Sequence, residues 1–264
     1  MVLTDAAALA EIAGSGFVDG RFARLKEKKA DSSVAGSYRT LGIAGENTLI
    51  ELFGGELAGG GLSGGLVFSF EEPGSSKAAH DLLDESGVGH HHDLVRRSVP
   101  GADEQQPWYH LISVGLGDAS PFVLLLNEVT QEYFTSLGAV PEADGTLPRR
   151  AYLDAVLGGP AEQPRLLEDI TSVTLHTSPD RARHIADALT PFGYEEREAG
   201  DVLEVAGLGF TLRLRRGTAD DVERVAELGL ALNPAAPPPE TREFRFGTSE
   251  LVFDTATTAR WIFS

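Results

Sequence analysis

A carboxylate on an apolar strand face is the first chemical oddity in this chain. In Leu49-Ile-Glu-Leu-Phe53, alternation places Glu51 with Leu49 and Phe53. Such a group must be paired, protonated or turned to a cavity; there it could ligate a metal or act as a general base. By the same alternation His110 shares a face with Trp108, Ile112 and Val114. A neutral imidazole among aromatic and branched side chains could bind a ligand or metal, although one hydrogen bond inside a core is the plainer reading. Glu128 closes the next strand on the face of Leu124 and Leu126. Trp108 supplies flat stacking surface and should pack on the apolar side of a central strand, with Tyr109 facing the other way.

A second polar group lies further on. Thr174 and His176 alternate with Val173 and Leu175, and Thr211, Arg213 and Arg215 alternate with Phe210, Leu212 and Leu214. If the apolar faces pack on helices, these polar faces line the inner side of a curled sheet. An arginine there suits a planar anion such as a carboxylate or phenolate. Pairing of Arg213 with Glu204 or Glu243 is the competing reading.

Other motifs exclude chemistry. Adjacent residues on an extended chain point to opposite sides, so His90-His-His92 cannot easily share one ion, and the tract is read as a loop. No His-Glu-x-x-His occurs. Gly59-Gly-Gly61 and Gly64-Gly65 lack the Lys-Ser/Thr of a phosphate loop, and no Gly-x-Ser-x-Gly elbow exists. With no Cys there is no thiolate nucleophile, thiolate metal site or disulfide, which suits a reducing cytoplasm.

The elements that must position these residues recur in one order: strand, helix, then two or three amphipathic strands. Ile170–Thr177 alternates as a strand, Ser178-Pro179 opens a helix through Leu189, and Val202–Val205 with Leu208–Leu214 form a hairpin. Gly65–Glu71, Ser75–Glu85, Asp93–Val99, Trp108–Leu116 and Phe122–Val129 repeat that order. Asp5 caps a helix at Ala6–Ala13. Lys26-Glu-Lys-Lys29 reads as a solvated face within a mixed segment. Tyr38–Ile43 and Thr48–Phe53 form a hairpin, and glycines make 54–65 a flexible loop. Thr218–Leu232 reads as an amphipathic helix, and Glu243–Phe246, Leu251–Asp254 and Arg260–Phe263 as closing strands. These elements imply an α+β fold of repeated βαβββ modules in curled, mainly antiparallel sheets. An N-terminal half covers 1–137, a Pro/Gly-rich connection with a helix at Arg149–Val156 covers 138–165, and a C-terminal half covers 166–264.

Composition narrows the partners. The chain has 264 residues and a net charge of −18, which repels phosphate backbones and argues against nucleic acid. No apolar run is long enough to span a membrane, and no signal peptide is visible at the N-terminus. One Met beside abundant Ala, Gly and Arg fits a high-GC bacterial genome.

With Ser37-Tyr-Arg-Thr-Leu-Gly-Ile-Ala-Gly45, Thr48-Leu-Ile-Glu-Leu-Phe53, Trp108-Tyr109, Phe246-Gly-Thr-Ser-Glu-Leu-Val-Phe253 and Ala259-Arg-Trp-Ile-Phe263 in this order, the chain resembles an uncharacterised actinobacterial family related to the glyoxalase/bleomycin-resistance (vicinal oxygen chelate) superfamily. The resemblance implies paired modules curled into a U-shaped sheet, helices outside and a metal or ligand inside. Metal-dependent members carry His or Gln on a module's first strand and Glu or His on its last. Met1–Thr4 and Leu66–Glu71 lack such a ligand in their middle, so the expected protein binds no metal and no cofactor. The leading expectation is a cytoplasmic, metal-independent protein that binds a small, partly aromatic molecule in a concave pocket, in secondary metabolism or self-resistance. Glu51, Trp108, His110, Glu128, His176 and Arg213 are its ligand-binding candidates, with no catalytic residue assigned and a homodimer left open. A metal-dependent lyase, isomerase or dioxygenase, or a non-catalytic interaction protein, are the alternatives.

Overall fold

Alternating apolar strands, helix caps and glycine turns produce four modules, three of them on one strand–helix–strands plan. The computed structural model describes residues 1–32, 36–54, 62–98, 104–118, 120–217 and 223–264, apart from the side chains of 28–32 and 36–39. Much of the glycine-rich loop at 54–65 therefore lies outside the described residues.

The first module comprises β1 (Val2–Thr4), α1 (Ala6–Ala13), a π-type turn at Val18–Phe22, β2 (Arg24–Ser32), β3 (Gly36–Ala44) and β4 (Leu49–Gly54). The Asp5 carboxylate accepts from Ala8 N and starts α1 as expected. The second comprises β5 (Gly64–Phe70), α2 (Ser75–Glu85), β6 (His90–Arg97), β7 (Gln106–Val114) and β8 (Phe122–Val129). Helices α3 (Gln131–Ser136) and α4 (Arg149–Leu157) follow. The third comprises β9 (Leu167–Thr177), α5 (Pro179–Leu189), β10 (Glu195–Ala199), β11 (Val202–Gly207) and β12 (Phe210–Arg216). The fourth has only strands: β13 (Arg224–Leu232), β14 (Glu243–Phe246), β15 (Ser249–Phe253) and β16 (Thr258–Phe263).

Modules one and two close a barrel in the order β1-β4-β3-β2-β6-β7-β8-β5, and modules three and four form a sheet in the order β10-β11-β12-β9-β13-β16-β15-β14. The fold is α+β, with repeated βαβββ modules in two mainly antiparallel eight-stranded sheets. Parallel pairs occur where a first strand meets a last one: β1 with β4, β5 with β8, and β9 with β12. Among the described residues, no helix is long and apolar enough to cross a membrane.

Two local expectations are corrected. Thr218–Leu232 is not a helix where it is described. Arg224–Leu232 is a strand between β9 and β16, with Val225, Leu228, Leu230 and Leu232 buried. Bulges in its pairing with β9 disturb strict alternation, which is why its apolar spacing imitates a helix. His90–His92 opens β6 rather than forming a loop, whereas Lys26 and Glu27 are exposed as expected, on strand β2. Polar composition hid the strand character of the histidine tract.

One apolar core joins the two sheets. Ile12, Phe22, Ile43, Leu52, Leu83, Ile112, Leu175, Ile185, Leu212 and Trp261 belong to a single buried cluster. Because module four lacks a helix, α1 and the turn after it cover its strands: Phe17 stacks on Phe244 with ring centroids 3.8 Å apart, and Phe22 meets Trp261 edge-on at 5.8 Å. Gly64 marks a second close approach. Its φ is +149°, and a Cβ there would stand 2.8 Å from Val225 Cγ2 on the other sheet.

A shared core should unfold as a unit. Trp261 is fully buried among Phe22, Phe246 and Phe263, so Trp261→Ala should cost about 3–5 kcal/mol. Urea unfolding followed by far-UV circular dichroism should show one transition shifted to lower urea. Two separate transitions in the wild-type protein would contradict a shared core.

Candidate functional site

The barrel separates two chemistries because successive strand residues face opposite sides. Helix α2 packs on the outer face of β6, β7 and β8. Leu124, Leu126 and Glu128 of β8 lie opposite Val114, Ile112 and His110 of β7 on that face. The inner face carries Val95, Leu111, Leu125 and Val129, which join Trp108, Tyr109, Tyr133, Leu137 and Tyr152 in a second apolar cluster.

Trp108 reaches this cluster through a bulge. From Val95 to Arg96, β6 advances one residue while β7 passes from Tyr109 to Pro107. The extra residue, Trp108, turns inward. The expectation that Tyr109 faces away from Trp108 is thereby corrected: their rings are 4.6 Å apart in the same cluster. Tyr133 of α3 lies 6.0 Å from Trp108, ring to ring, and Tyr152 of α4 lies 6.5 Å from Tyr133.

Helix α4 is pinned over this face. The Arg149 guanidinium donates to the carbonyls of Asn47 and Ser69 at 3.1 and 2.7 Å, and Arg24 pairs with Asp154 at 2.7 Å. Burial pushes the Tyr152 hydroxyl above its ordinary pKa; a hydrogen bond with Trp108 acts the other way, and the nearby Glu51 charge adds to the rise. Arg97 stacks above the Trp108 ring at 4.6 Å and the Tyr133 ring at 5.3 Å, and donates to the Tyr133 hydroxyl. Its Nε is buried and has no hydrogen-bond partner among the described residues. The inner face is not sealed: Val67 of β5, paired with Leu125, is 40% exposed.

The six residues expected to bind ligand fall in three places. Glu51 and Trp108 belong to the inner face, where Tyr152 lies within electrostatic range of Glu51. His110 and Glu128 are direct cross-strand neighbours on the outer face. There Glu128 caps α2, accepting from Gly74 N at 2.8 Å and Ser76 N at 2.7 Å. His176 and Arg213 lie on the second sheet. Arg213 is opposite Glu204, with Nε 3.5 Å from its carboxylate, and donates to Ser172 Oγ at 3.1 Å. The competing ion-pair reading thus describes its surroundings. Arg197, hydrogen-bonded to the same carboxylate, and then Arg213 hold Glu204 below its ordinary pKa. His176 stands between Arg215 of β12 and Arg224 of β13.

Sequence reasoning did not find Arg97, Tyr133 or Tyr152, because each comes from a different element with no fixed spacing to Trp108. It also set aside the histidines. His90 and His92 face outward with His110, while His91 faces inward and pairs with Asp93 at 2.9 Å. His80 of α2 lies between them, its ring 4.8 Å from His90 and 5.3 Å from His92; His92 is 5.7 Å from His110. Burial first, then His110 and His80, hold the His92 pKa below its usual value. The i,i+4 spacing of His80 and Asp84 was a legible signal.

The chain matches the model of a family of unknown function, DUF5829, over residues 1–263. It belongs to that family. No curated protein matches the sequence. A crystal structure of a hypothetical protein from Staphylococcus aureus has a TM-score of 0.51 at 12% identity, covering 84% of this chain and 85% of that one. A xylose isomerase-like TIM barrel/4-hydroxyphenylpyruvate dioxygenase fusion protein has a TM-score of 0.44 at 11% identity, covering 84% of this chain and 34% of that one. This DUF5829 protein has βαβββ modules paired in two eight-stranded sheets. The resemblance seen in the sequence implies that metal ligands would come from the inner face. Here Glu128 faces out to α2, and the His/Asp group with metal-ligand proximity among the described residues lies outside the barrel. Among the described residues, the inner face gathers no group of three His, Asp or Glu side chains within ligand distance.

Glu128→Ala would leave two N–H groups at the α2 N-terminus without their acceptor, at a cost of about 1–3 kcal/mol. Urea denaturation at neutral pH measures this, and a loss below about 0.5 kcal/mol would contradict the capping role. Glu223 does a related job for α5, accepting from Ser178 N, Thr177 Oγ1 and Arg181 Nε. Burial alone would raise its pKa, but these donors bring the net value below the ordinary carboxylate range. Its contribution is therefore complete above the unfolded pKa of about 4.3 and fades as pH falls through the depressed folded value. The melting-temperature deficit of Glu223→Gln should be largest near neutrality and shrink with acidification; a pH-independent deficit would exclude this linkage.

Proposed function

We propose that this protein binds a small, partly aromatic molecule carrying an anionic or phenolic group, on the inner face of its N-terminal barrel and without a metal. The supporting observation is Arg97: it lies against Trp108 and Tyr133 with a buried Nε–H unpartnered among the described residues. A buried donor without an acceptor is costly, and a ligand oxygen would satisfy it. Trp108, Tyr109 and Tyr152 supply aromatic surface around that point, and stacking fixes the orientation of a flat ligand. Glu51 and the Tyr152 hydroxyl can hydrogen-bond a second polar group.

This reading makes no demand on His176 or Arg213. It is consistent with sequestration, in which a bound molecule is held and released unchanged.

A thermal-shift panel of benzoates, phenols and uncharged aromatic analogues tests the proposal. Acidic or phenolic compounds should stabilise the protein, and Arg97→Ala should weaken them by about 10-fold or more, the equivalent of one charge-assisted hydrogen bond. Arg213→Ala should leave their affinity unchanged. Hits that bind equally well to Arg97→Ala, or lose affinity only in Arg213→Ala, would move the site off the barrel.

A further inference from the structure

We infer that His80, Asp84 and His90 form a binding site for a divalent transition metal of the zinc, cobalt and nickel class, pinning α2 to β6 on the outer face of the barrel. The three residues present one ligand atom each, all within 4.8 Å of one another. His80 and Asp84 are one helical turn apart on α2, and His90 is the first residue of β6. The site is independent of the inner-face binding reading, because alternation puts it across the sheet.

Its geometry is that of prepared ligands. His90 Nδ1 donates to the Val88 carbonyl at 2.8 Å, which leaves the Nε2 lone pair facing the group. Metal-ligating histidines usually have their second ring nitrogen held in this way. His90 Nε2 lies 2.6 Å from His80 Nδ1 and 3.8 Å from Asp84 Oδ1. Binding both imidazoles at about 2.0–2.1 Å needs the two nitrogens to part by less than about 1 Å. His80 can make that movement, since its side chain is 35% exposed, whereas His90 is 3% exposed and fixed.

Two imidazoles and one carboxylate favour borderline metals over the hard oxygen-seeking cations. The set leaves at least one coordination position for water or a fourth side chain. His92 is the available neighbour, with a buried Nε2 that has no hydrogen-bond partner among the described residues. His91 cannot join, because it faces the other side of β6 and pairs with Asp93. Without a metal, the same contacts would be an imidazole–imidazole hydrogen bond beside a carboxylate.

The test is titration of tag-free, full-length, chelator-treated protein with Zn2+ by calorimetry, and with Co2+ by visible absorption. We expect one equivalent of Zn2+, a raised melting temperature and a ligand-field band with Co2+. His80→Ala and Asp84→Asn, both on an accessible helix surface, should lose the stoichiometric step while keeping their circular dichroism; His91→Ala should keep it. Absence of stoichiometric binding in the wild-type protein would overturn the site and leave the hydrogen-bonded pair. So would stoichiometric binding that survives in either His80→Ala or Asp84→Asn.

Discussion

A module without a helix must bury its sheet against something else. The fourth module of this protein meets that constraint by borrowing α1, and much of the molecule follows from it. Phe17 and Phe22 reach Phe244, Phe253 and Trp261 across the gap. A helix that begins by covering its own β4 also closes the core of the distant sheet. Apolar area removed from water on both sides of one helix joins the halves into a shared core. Gly64 lets the strands approach where the sheets meet, since a side chain there would collide with Val225.

The inner face of the barrel holds a cluster separate from this core. It is neither empty nor uniformly apolar. Two of its four aromatic rings flank an arginine, a carboxylate stands within electrostatic range of a buried phenol, and part of the face meets solvent. The bulge at Trp108 is decisive, because it moves the largest ring from one side of β7 to the other. Helix α4 then covers what the bulge gathers. The connection between the halves therefore packs on this face.

The outer face shows how burial decides between similar residues. Glu128 and His110 are cross-strand neighbours, yet Glu128 is consumed by two backbone N–H groups of α2, while His110 continues a row of imidazoles. A carboxylate at a helix N-terminus is satisfied by the dipole and the free amides together. The histidines meet no such row of backbone donors, and His80 and His90 turn to one another and to Asp84.

Local pattern determined a good deal by itself. Period-two alternation exposed the repeated βαβββ order, caps such as Asp5 and Ser178 started helices where expected, and Glu51 emerged as a carboxylate among apolar neighbours. These features depend on residues close in sequence, which is why they are legible. The strand at Arg224–Leu232 was not, because bulged pairing disrupts the period that marks a strand. Nor was the grouping of Arg97, Trp108, Tyr133 and Tyr152, or of His80, Asp84 and His90. Those residues come from separate strands and helices, and a bulge, a helix placed across a barrel and the register of β6 against β7 bring them together. Register and crossing are settled by the whole core, so only the tertiary structure could decide which candidates meet.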